Sequence, residues 1–365
     1  MAKSYNHLYE KFISEENIKL AIQNATKGKR KKRSVRKRLE NPNFEKEILY
    51  YAQHYENKNH TPKIIYDGIQ RKKRTIIVPS FDELVIQHMV VNVLIPIFSK
   101  GMYTHSYGSI PKRGPHKGKK VIVKWLKKGK HCKYCAKLDI RKYFDNVRHD
   151  VLIKKLRKII HDEKFLDVLI KIIEVVPVGI PLGFYTSQWI ANWYLQDLDH
   201  YIKERLRIKH YIRYMDDLIL FGNSKKILHN ARIFIDISIS GLGLDLKRNW
   251  QTFRFEDNGK YRFLDFIGFR FYRNRVTIRK SILLKATRKA RRVSKESKLR
   301  VYSARQMLSY LGYFKHTDTY NMYLERIKPY VNFQYLKRRI SKYDKRENRR
   351  IVDYGMVQRT ELRAA

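Results

Sequence analysis

The sequence contains very little cysteine, and this excludes disulfide-stapled scaffolds and closed zinc modules. Only Cys132 and Cys135 occur, within HCKYCAKLD, and no second CxxC or HxxxH motif accompanies them. A structural zinc site needs four donors, and a disulfide scaffold needs a larger set of cysteines. The two residues could be half of a zinc site or a redox pair. We instead expect reduced thiols that enter a strand of a cytosolic protein.

Long hydrophobic runs are also missing. The opening residues MAKSYNHLYEKFISEENIKL contain no apolar stretch of the signal-peptide kind. The longest apolar segment, Val93–Phe98, is far shorter than the roughly 20 residues that cross a bilayer. With 43% hydrophobic and 13% aromatic residues, the chain still has the composition of a folded protein. We therefore expect a globular protein that does not enter a membrane.

Acidic residues are scarce relative to basic ones. The chain has 34 Asp and Glu against 80 Lys and Arg, a formal net charge of +46. Such a field favours a polyanionic partner, and nucleic-acid phosphates are the commonest one. An anionic membrane is the competing partner, but the missing apolar anchor disfavours it. The balance of charge therefore predicts nucleic-acid binding.

Several segments outline the organisation before the centre of the chain. The run KGKRKKRSVRKR at 27–38 is either a solvated or disordered arm or a segment that contacts RNA. Residues 71–79 alternate as a strand does, and Asp82–Phe98 has the composition of an apolar helix with Pro96 near its end. Residues 108–120, rich in Gly, Pro and Lys, are typical of a loop.

Three aspartates lie where predicted strands end. The stretch CKYCAKLD approaches Asp139 as an apolar strand and is followed by residues typical of a turn and a helix start. In RYMDDLILFG the pattern predicts strands at 211–215 and 218–221 around a tight turn at Asp216-Asp217. Asp tolerates a positive φ, so the pair could simply form a hairpin turn. Asn-Gly or Asp-Gly would do this without repulsion between like charges.

A multivalent cation would explain why two carboxylates are adjacent, and Mg²⁺ prefers oxygen ligands shared with substrate phosphates. Together with Asp139, the pair predicts a two-metal centre for phosphoryl transfer. One ion would lower the pKa of a primer 3′-hydroxyl, and the other would hold a triphosphate and neutralise the leaving pyrophosphate. We expect two Mg²⁺ ions, with Mn²⁺ as an alternative.

These motifs resemble a known family. LDIRKYFD, PLGFYTSQ and YMDD, in this order and spacing, are similar to the palm motifs of reverse transcriptases. Within that family they resemble the enzymes of diversity-generating retroelements, and the resemblance extends over about 60–320. It implies an α+β right-hand polymerase fold with fingers, a helical thumb, and a palm whose antiparallel sheet is backed by helices.

The resemblance also implies roles at the metal centre. Asp139, Asp216 and Asp217 would be catalytic and would form the metal site. Asp139 and Asp216 would be direct ligands of both ions, whereas Asp217 would be essential but less clearly a direct ligand. Ile140 would offer its backbone carbonyl to one ion.

The same resemblance implies a nucleotide-binding set. Arg74 corresponds to a fingers arginine that contacts the incoming triphosphate, with Lys72 as a weaker candidate, and a guanidinium suits phosphate oxygens. Phe144, preceded by Tyr143 in the same set, corresponds to the bulky residue that excludes a ribose 2′-hydroxyl. A ring fills that volume and cannot accept the hydroxyl's hydrogen bond. The alternative for Phe144 is ordinary core packing.

The stretch LGFYTSQ carries the resemblance to one branch. Most reverse transcriptases have QGxxxSP here, whereas the diversity-generating branch has an aliphatic residue first and Gln last, as Leu182 and Gln188 are. Both residues, with Gly183 between them, join the predicted nucleotide-binding set. Gly183 would let the backbone approach the base pair, and Thr186 or Ser187 could cap the following helix. Leu182 removes a possible hydrogen bond, and we expect it to contribute to errors opposite template adenines.

The remaining segments resemble the primer grip and thumb. FLDFIGFRF would grip the primer end through Phe266 and Gly268, and a basic helix at 281–299 would track the duplex. The spacing around Lys247 and Arg248 departs from the family pattern, so neither is assigned a role. We expect these domains: 1–59, a basic extension and the start of the fingers; 60–125, fingers; 126–272, palm with fingers helices inserted at about 150–180; 273–336, thumb; 337–365, a basic tail.

The predicted function is an RNA-directed DNA polymerase that copies a template-repeat RNA into cDNA with errors opposite adenines. The resemblance implies template and primer RNA, cDNA, dNTPs and a small basic pentameric accessory protein as partners. It also implies the cytoplasm of a prokaryotic host, with a phage or plasmid as a possible carrier. The alternatives are a retron, group II intron-like or defence-associated reverse transcriptase, although the VTG motif of retrons is missing. A non-catalytic nucleic-acid-binding relic is the alternative from another class.

Overall fold

The computed structural model describes residues 4–67, 72–127, 129 and 131–346, without the side chains of Asp67 and Lys72. The chain divides into two compact units, Met1–Phe255 and Glu256–Ala365. This division falls before the predicted end of the palm at 272, because the short strands that follow Phe255 belong to the second unit.

The first unit combines many helices with two antiparallel sheets. Its helices are α1 Leu8–Ile13, α2 Glu15–Thr26, α3 Arg33–Leu39, α4 Phe44–Gln53, α5 Phe81–Phe98, α6 Pro115–Lys127, α7 Tyr143–Asn146, α8 His149–Arg157, α9 Glu163–Ile173, α10 Tyr185–Tyr194, α11 Gln196–His200 and α12 Lys225–Ser240. A π-helical turn, Tyr201–Arg205, follows α11. Its strands are β1 Lys63–Asp67, β2 Lys72–Ile76, β3 Tyr134–Asp139, β4 His210–Tyr214, β5 Asp217–Gly222 and β6 Gln251–Arg254.

Helix α5 confirms the predicted apolar helix. It begins with a capping box in which the Ser80 side chain accepts from the Glu83 N–H and the Glu83 carboxylate accepts from the Ser80 N–H. Its 18 residues have a mean hydropathy of 1.5, so by length and composition α5 could also cross a membrane. The apolar segment Val93–Phe98, considered alone in the sequence, was too short to show this. However, 61% of it is buried, and it packs against α1, α2, α4 and α10. It is the central core helix of the first unit.

The larger sheet has the order β4-β5-β3-β6, with all pairs antiparallel. Residues Leu218–Phe221 of β5 are all buried, because α12 packs near this strand while neighbouring strands flank it on both sides. Cys132 and Cys135, at the entry to β3, are both buried. A palm-like antiparallel sheet backed by helices is therefore present in the first unit.

The second unit has a three-stranded sheet followed by helices. Its strands are β7 Leu264–Phe266, β8 Phe269–Phe271 and β9 Val276–Ile278, and its helices are α13 Lys280–Ser294, α14 Val301–Lys315 and α15 Tyr320–Arg326. Residues 333–346 are also helical. The predicted basic helix corresponds to α13, whose buried face includes Leu283, Ala286 and Ala290. Since lysines and arginines cover its other positions, α13 is an amphipathic helix with a cationic outer face.

Candidate active site

Strand pairing brings the three aspartates together at one end of the larger sheet. Asp139, the last residue of β3, is the direct antiparallel partner of Asp217, the first residue of β5. The Ile140 N–H then donates to the Asp216 carbonyl at 3.1 Å. Directly opposed residues of an antiparallel pair have Cα atoms about 4.5–5.5 Å apart. Asp139 therefore lies well within reach of an ion shared with the β4–β5 turn.

The turn itself differs by one residue from the predicted one. Its two central residues are Met215 and Asp216, and Asp217 already belongs to β5. The positive φ falls on Met215, at 54°, and neither aspartate adopts this conformation. The idea that the aspartates serve a left-handed hairpin turn is therefore wrong. A need for positive φ therefore explains neither aspartate.

The carboxylates disfavour one another's charge. Burial raises the pKa of Asp217 to about 6, and the charges of Asp216 and Asp139 act in the same direction. Burial also raises the pKa of Asp216, again with a contribution from Asp139, while the positive charges of Lys247 and Arg74 oppose this rise. A nearby cation stabilises the ionised form of carboxylates that repel one another where water is largely excluded. The electrostatics therefore fit a metal site.

Lys247 supplies one positive charge at this place. Its Nζ lies 2.5 Å from Asp139 Oδ2, and its backbone N–H donates to the Asp139 carbonyl at 2.8 Å. The sequence had left Lys247 unassigned, because its spacing departs from the family pattern and only the folded β3 end reveals the contact.

The donor set fits a hard divalent ion, although it is not closed around one. In the described part of the chain, no group of three His, Cys, Asp or Glu side chains is arranged to hold a metal as it stands. Asp139 Oδ1 is nevertheless buried and has no hydrogen-bond partner among these residues. A buried carboxylate oxygen is costly without a partner. It therefore provides an open ligand, and the Lys247 ammonium lies at the other oxygen of the same carboxylate.

The predicted fingers residues lie on a hairpin tied to the LGFYTSQ segment. Arg74 is an exposed residue of β2, and its positive charge acts to lower the pKa of Asp216. Lys72 begins β2, but its side chain is outside the described atoms. Just after β2, the Ile77 N–H donates to the Leu182 carbonyl at 2.8 Å. This bond connects the strand that carries Arg74 to the segment before α10.

The structure gives a reason for glycine at position 183 that the sequence did not show. Its φ is +114°, and a Cβ added there would lie 2.2 Å from the Ile77 carbonyl oxygen. A close backbone approach is therefore already made to Ile77, and the predicted approach to a base pair stays a prediction. Gln188 is exposed on α10, in keeping with its place in the predicted nucleotide-binding set.

The start of α10 also differs from the expectation. Thr186 and Ser187 are buried inside the helix, and the Ser187 hydroxyl donates to the Pro181 carbonyl. Gln87 of α5 takes the expected capping role, because its side-chain oxygen accepts from the Tyr185 N–H at 2.7 Å. A residue so distant in sequence gives no local capping signal.

Tyr143 and Phe144 lie in different environments. Tyr143 is 2% exposed, and its hydroxyl donates to the Ala191 carbonyl at 2.6 Å. Its side chain is part of the core, so the prediction that it contacts a nucleotide is not supported. Phe144 is only partly buried against the core, which leaves part of its ring accessible.

The predicted primer-grip residues lie in the second unit. Phe266 is 1% exposed and ends β7. Gly268 has a φ of +88°, and a Cβ there would lie 2.9 Å from a Tyr313 ring atom and 3.1 Å from Ile282. The close approach at Gly268 is thus made to helices α13 and α14 of its own unit.

Comparison with known proteins agrees with this architecture. Residues 57–271 match the family described as Reverse transcriptase (RNA-dependent DNA polymerase), which is more than half of the chain. The chain therefore belongs to the reverse transcriptase family. This confirms the predicted family, and it agrees with the α+β right-hand polymerase fold. Reverse transcriptase domains generally use divalent metal ions such as Mg²⁺.

Individual relatives come from several kinds of element. Protein YkfC of Escherichia coli is 27% identical over 37% of this chain and 38% of its own length. The retron Ec73 reverse transcriptase of Escherichia coli is 26% identical over 51% of this chain and 62% of its length. The group II intron-encoded protein LtrA of Lactococcus lactis subsp. cremoris is 27% identical over 36% of this chain and 23% of its length. The chain thus matches less than two thirds of each relative.

Among solved structures, telomerase from Candida albicans in complex with a telomeric RNA fragment matches 79% of this chain and 60% of its own, at 12% identity and a TM-score of 0.47. Telomerase from Candida tropicalis, also with a telomeric RNA fragment, matches 70% of this chain and 53% of its own, at 13% identity and a TM-score of 0.48.

Proposed function

We propose that this protein is an RNA-directed DNA polymerase that copies an RNA template into cDNA by two-metal nucleotidyl transfer. The observation that carries the proposal is the pairing of Asp139 with Asp217, which gathers three carboxylates at the end of a rigid sheet. Side chains on paired strands are positioned more precisely than side chains on loops. The family match supports the same reaction class.

The roles of individual residues follow from their places. Asp139 and Asp216 would hold both ions, the Ile140 carbonyl would contribute one further oxygen, and Asp217 would complete the negative field. When bound, the two ions supply an activated 3′-hydroxyl and charge neutralisation at the triphosphate. Arg74, exposed on β2, would bind the triphosphate through its guanidinium.

Phe144 would act as the gate that excludes ribonucleotides. Its ring is only partly buried, and the Ile180 N–H donates to its carbonyl at 2.8 Å, so its backbone is held in place. The Gly179 backbone also packs against it, because a Cβ at Gly179 would lie 2.4 Å from the same carbonyl oxygen. A ring carried on a fixed backbone is suited to exclude a 2′-hydroxyl by volume.

Primer extension tests the reaction directly. With a primed RNA template, dNTPs and Mg²⁺, the wild-type chain should extend the primer, whereas Asp216→Ala should not while still binding RNA. A retained fold of the variant, checked by circular dichroism, makes the comparison valid. Absence of metal-dependent incorporation by the wild-type chain on every template tried would favour the non-catalytic binder.

Within the family, we place the chain in the diversity-generating branch. The support is the pair of departures from QGxxxSP, Leu182 and Gln188. The template would then be a template-repeat RNA, copied with errors opposite adenines. The test compares wild-type with Leu182→Gln in single-nucleotide incorporation opposite adenine. An unchanged misincorporation rate would contradict the role of Leu182.

Retron, group II intron-like and defence-associated enzymes are the alternatives. Relatives of the retron and intron kinds match this chain at similar identity, which is the specific observation in their favour. A pair of variable and template repeats near the gene, differing at adenines, would support the diversity-generating branch. A structured RNA joined covalently to the cDNA product would favour a retron.

The basic run at 27–38 is proposed to contact RNA. The second half of this run is helical, since α3 covers Arg33–Leu39. Lys29, Lys32 and Lys37 line a groove of about 1030 Å³ together with Gly183 and the segment Val78–Asp82. Lysines beside an apolar floor suit a single strand, whose phosphates and bases contact such surfaces.

The remaining assignments complete this proposal. The first unit would contain fingers and palm, and the second the thumb, with Phe266 and Gly268 near the primer. Two Mg²⁺ ions, or Mn²⁺, would be the cofactors. A small basic pentameric accessory protein would be the protein partner in the cytoplasm of a prokaryotic host, and co-purification of the two gene products would test this association.

A further inference from the structure

A buried ion pair lies directly behind the catalytic turn. Arg213 of β4 is 0% exposed, and its guanidinium donates to both carboxylate oxygens of Asp199, with Nη2 at 2.6 Å from Oδ2 and Nε at 2.8 Å from Oδ1. Asp199 of α11 is also 0% exposed and accepts from the Tyr211 hydroxyl at 2.7 Å. The pair is therefore fully desolvated and geometrically fixed.

The other contacts of Arg213 lead to the turn. Its Nη1 donates to the Met215 carbonyl at 3.2 Å, and its Nη2 donates to the Asn192 carbonyl, also at 3.2 Å. The Asn192 side chain in turn donates to the Gly108 carbonyl at 2.8 Å and contacts Met215 Sδ at 3.3 Å. Met215 is thus held through both its backbone and its side chain by buried polar groups.

The turn has a conformation that needs such support. Met215 has a φ of 54°, a left-handed conformation that is unfavourable for a residue other than glycine. Gly108 packs so closely that a Cβ there would lie 2.4 Å from Met215 Cγ. Strained residues of this kind persist only where the surroundings determine them. Met215 directly precedes Asp216. Its backbone conformation therefore determines the positions of Asp216 and Asp217.

Stability alone does not explain a buried ion pair of this type. Removing two charges from water carries a large free-energy cost, and well-packed apolar residues often stabilise a core as much as a buried ion pair does. Its distinguishing property is that the planar guanidinium has donors in fixed directions, so it joins Asp199, Asn192 and Met215 in one arrangement.

We propose that Arg213, held by Asp199 and Asn192, is a positioning residue that fixes the Met215 turn and thereby the metal-holding geometry of Asp216 and Asp217. The proposal rests on the proposed polymerase function for its activity readout. It adds a requirement that the three aspartates do not imply. The site depends on the Arg213 guanidinium, which acts through the turn and does not itself bind the metal ions, the nucleotide or the three aspartates.

The test uses Arg213→Lys, which keeps the positive charge beside Asp199 but cannot donate in all these directions. We expect the variant to fold and to bind primed RNA as wild-type does. Loss of such supporting contacts typically weakens metal affinity about 10- to 100-fold. We therefore expect an approximately 10-fold or greater rise in the Mg²⁺ concentration for half-maximal incorporation, a lower kcat, and a dNTP KM within about 2-fold of wild-type.

A matched control comes from the same helices. Lys155 is largely buried and donates to the Trp193 and Tyr194 carbonyls and to Asp197, but it makes no contact with the turn. Lys155→Met should therefore lower thermal stability without changing the Mg²⁺ requirement. If both variants raise the Mg²⁺ concentration for half-maximal incorporation equally, Arg213 acts only through general stability. This result would overturn the proposal.

Direct Mn²⁺ binding, followed by the electron paramagnetic resonance signal of free Mn²⁺, separates this proposal from the proposed function. Weaker Mn²⁺ binding by Arg213→Lys supports the positioning role even if the wild-type chain were inactive in extension. If Arg213→Lys does not fold, Asn192→Ala decides, since it leaves the Arg213–Asp199 pair intact and removes the contact with Met215 Sδ. Unchanged Mn²⁺ affinity in the folded variant would overturn the proposal.

Discussion

At the scale of single residues, Asp217 occupies a place that penalises its own ionisation. Its pKa is raised from 3.8 to about 6 by burial and by the neighbouring Asp216 and Asp139. The native state therefore retains a proton that the unfolded state has already lost between these two pH values. Stability consequently falls as the pH rises from about 4 to about 6, and the cost remains in full above pH 6.

This cost predicts that Asp217→Asn stabilises the metal-free protein. The gain should be absent below about pH 4, grow up to about pH 6, and reach about 1–3 kcal/mol at pH 7–8. Urea unfolding in EDTA at several pH values measures it. The exposed Asp167→Asn should show little change at any pH. A loss of stability for Asp217→Asn at pH 8 would contradict this account of the site.

At the scale of elements, the contact between Ile77 and the 182–183 segment holds the end of β2. Gly183→Ala adds a Cβ at a φ of +114° and 2.2 Å from the Ile77 carbonyl oxygen, so β2 must shift. We expect a loss of roughly 1–3 kcal/mol in stability and a raised KM for dNTP, because Arg74 lies on β2. Thermal unfolding and steady-state incorporation measure the two effects.

Gly114→Ala is the matched control, since nothing lies within 4 Å of an added Cβ there and its φ is not positive. Its stability and KM should remain close to wild-type. If Gly183→Ala leaves the KM unchanged while lowering stability, the contact supports the fold without positioning Arg74.

The sequence predicted those elements whose cause is local. Helix α5 has its own capping box and a continuous apolar composition, and β3 and β5 are apolar segments that end or begin at aspartates. The position of the turn was wrong by one residue, because the positive φ of Met215 is accompanied by contacts with Asn192 and Gly108, which are distant in sequence, as well as with Arg213. A residue pattern contains no record of such support.

Roles that depend on tertiary neighbours were missed for the same reason. The contact between Gly183 and Ile77 was not foreseen, and Tyr143 was expected near a nucleotide but donates to Ala191 in the core. Lys247 contacts Asp139 although more than a hundred residues separate them. These corrections all concern which partner a side chain meets, and the acidic residues themselves were correctly identified as neighbours.

At the scale of the whole molecule, the net charge of +46 predicts RNA binding that depends steeply on salt. A protein that neutralises about 6 phosphates loses roughly 10³-fold in affinity between about 50 and 200 mM salt. Equilibrium binding of primed RNA across this range measures the slope. Lys32→Ala, in the groove, should reduce the slope by about 1, whereas Lys158→Ala, exposed on the first unit, should not.

We expect Asp139, Asp216 and Asp217 to hold the catalytic ions together. The most direct measurement is the number of Mn²⁺ ions bound by the protein with a chain-terminated primer on RNA and the matching dNTP. For the wild-type chain we predict two bound ions, and for Asp139→Ala and Asp216→Ala the loss of at least one with RNA binding retained. Full Mn²⁺ occupancy in either folded variant would contradict the account.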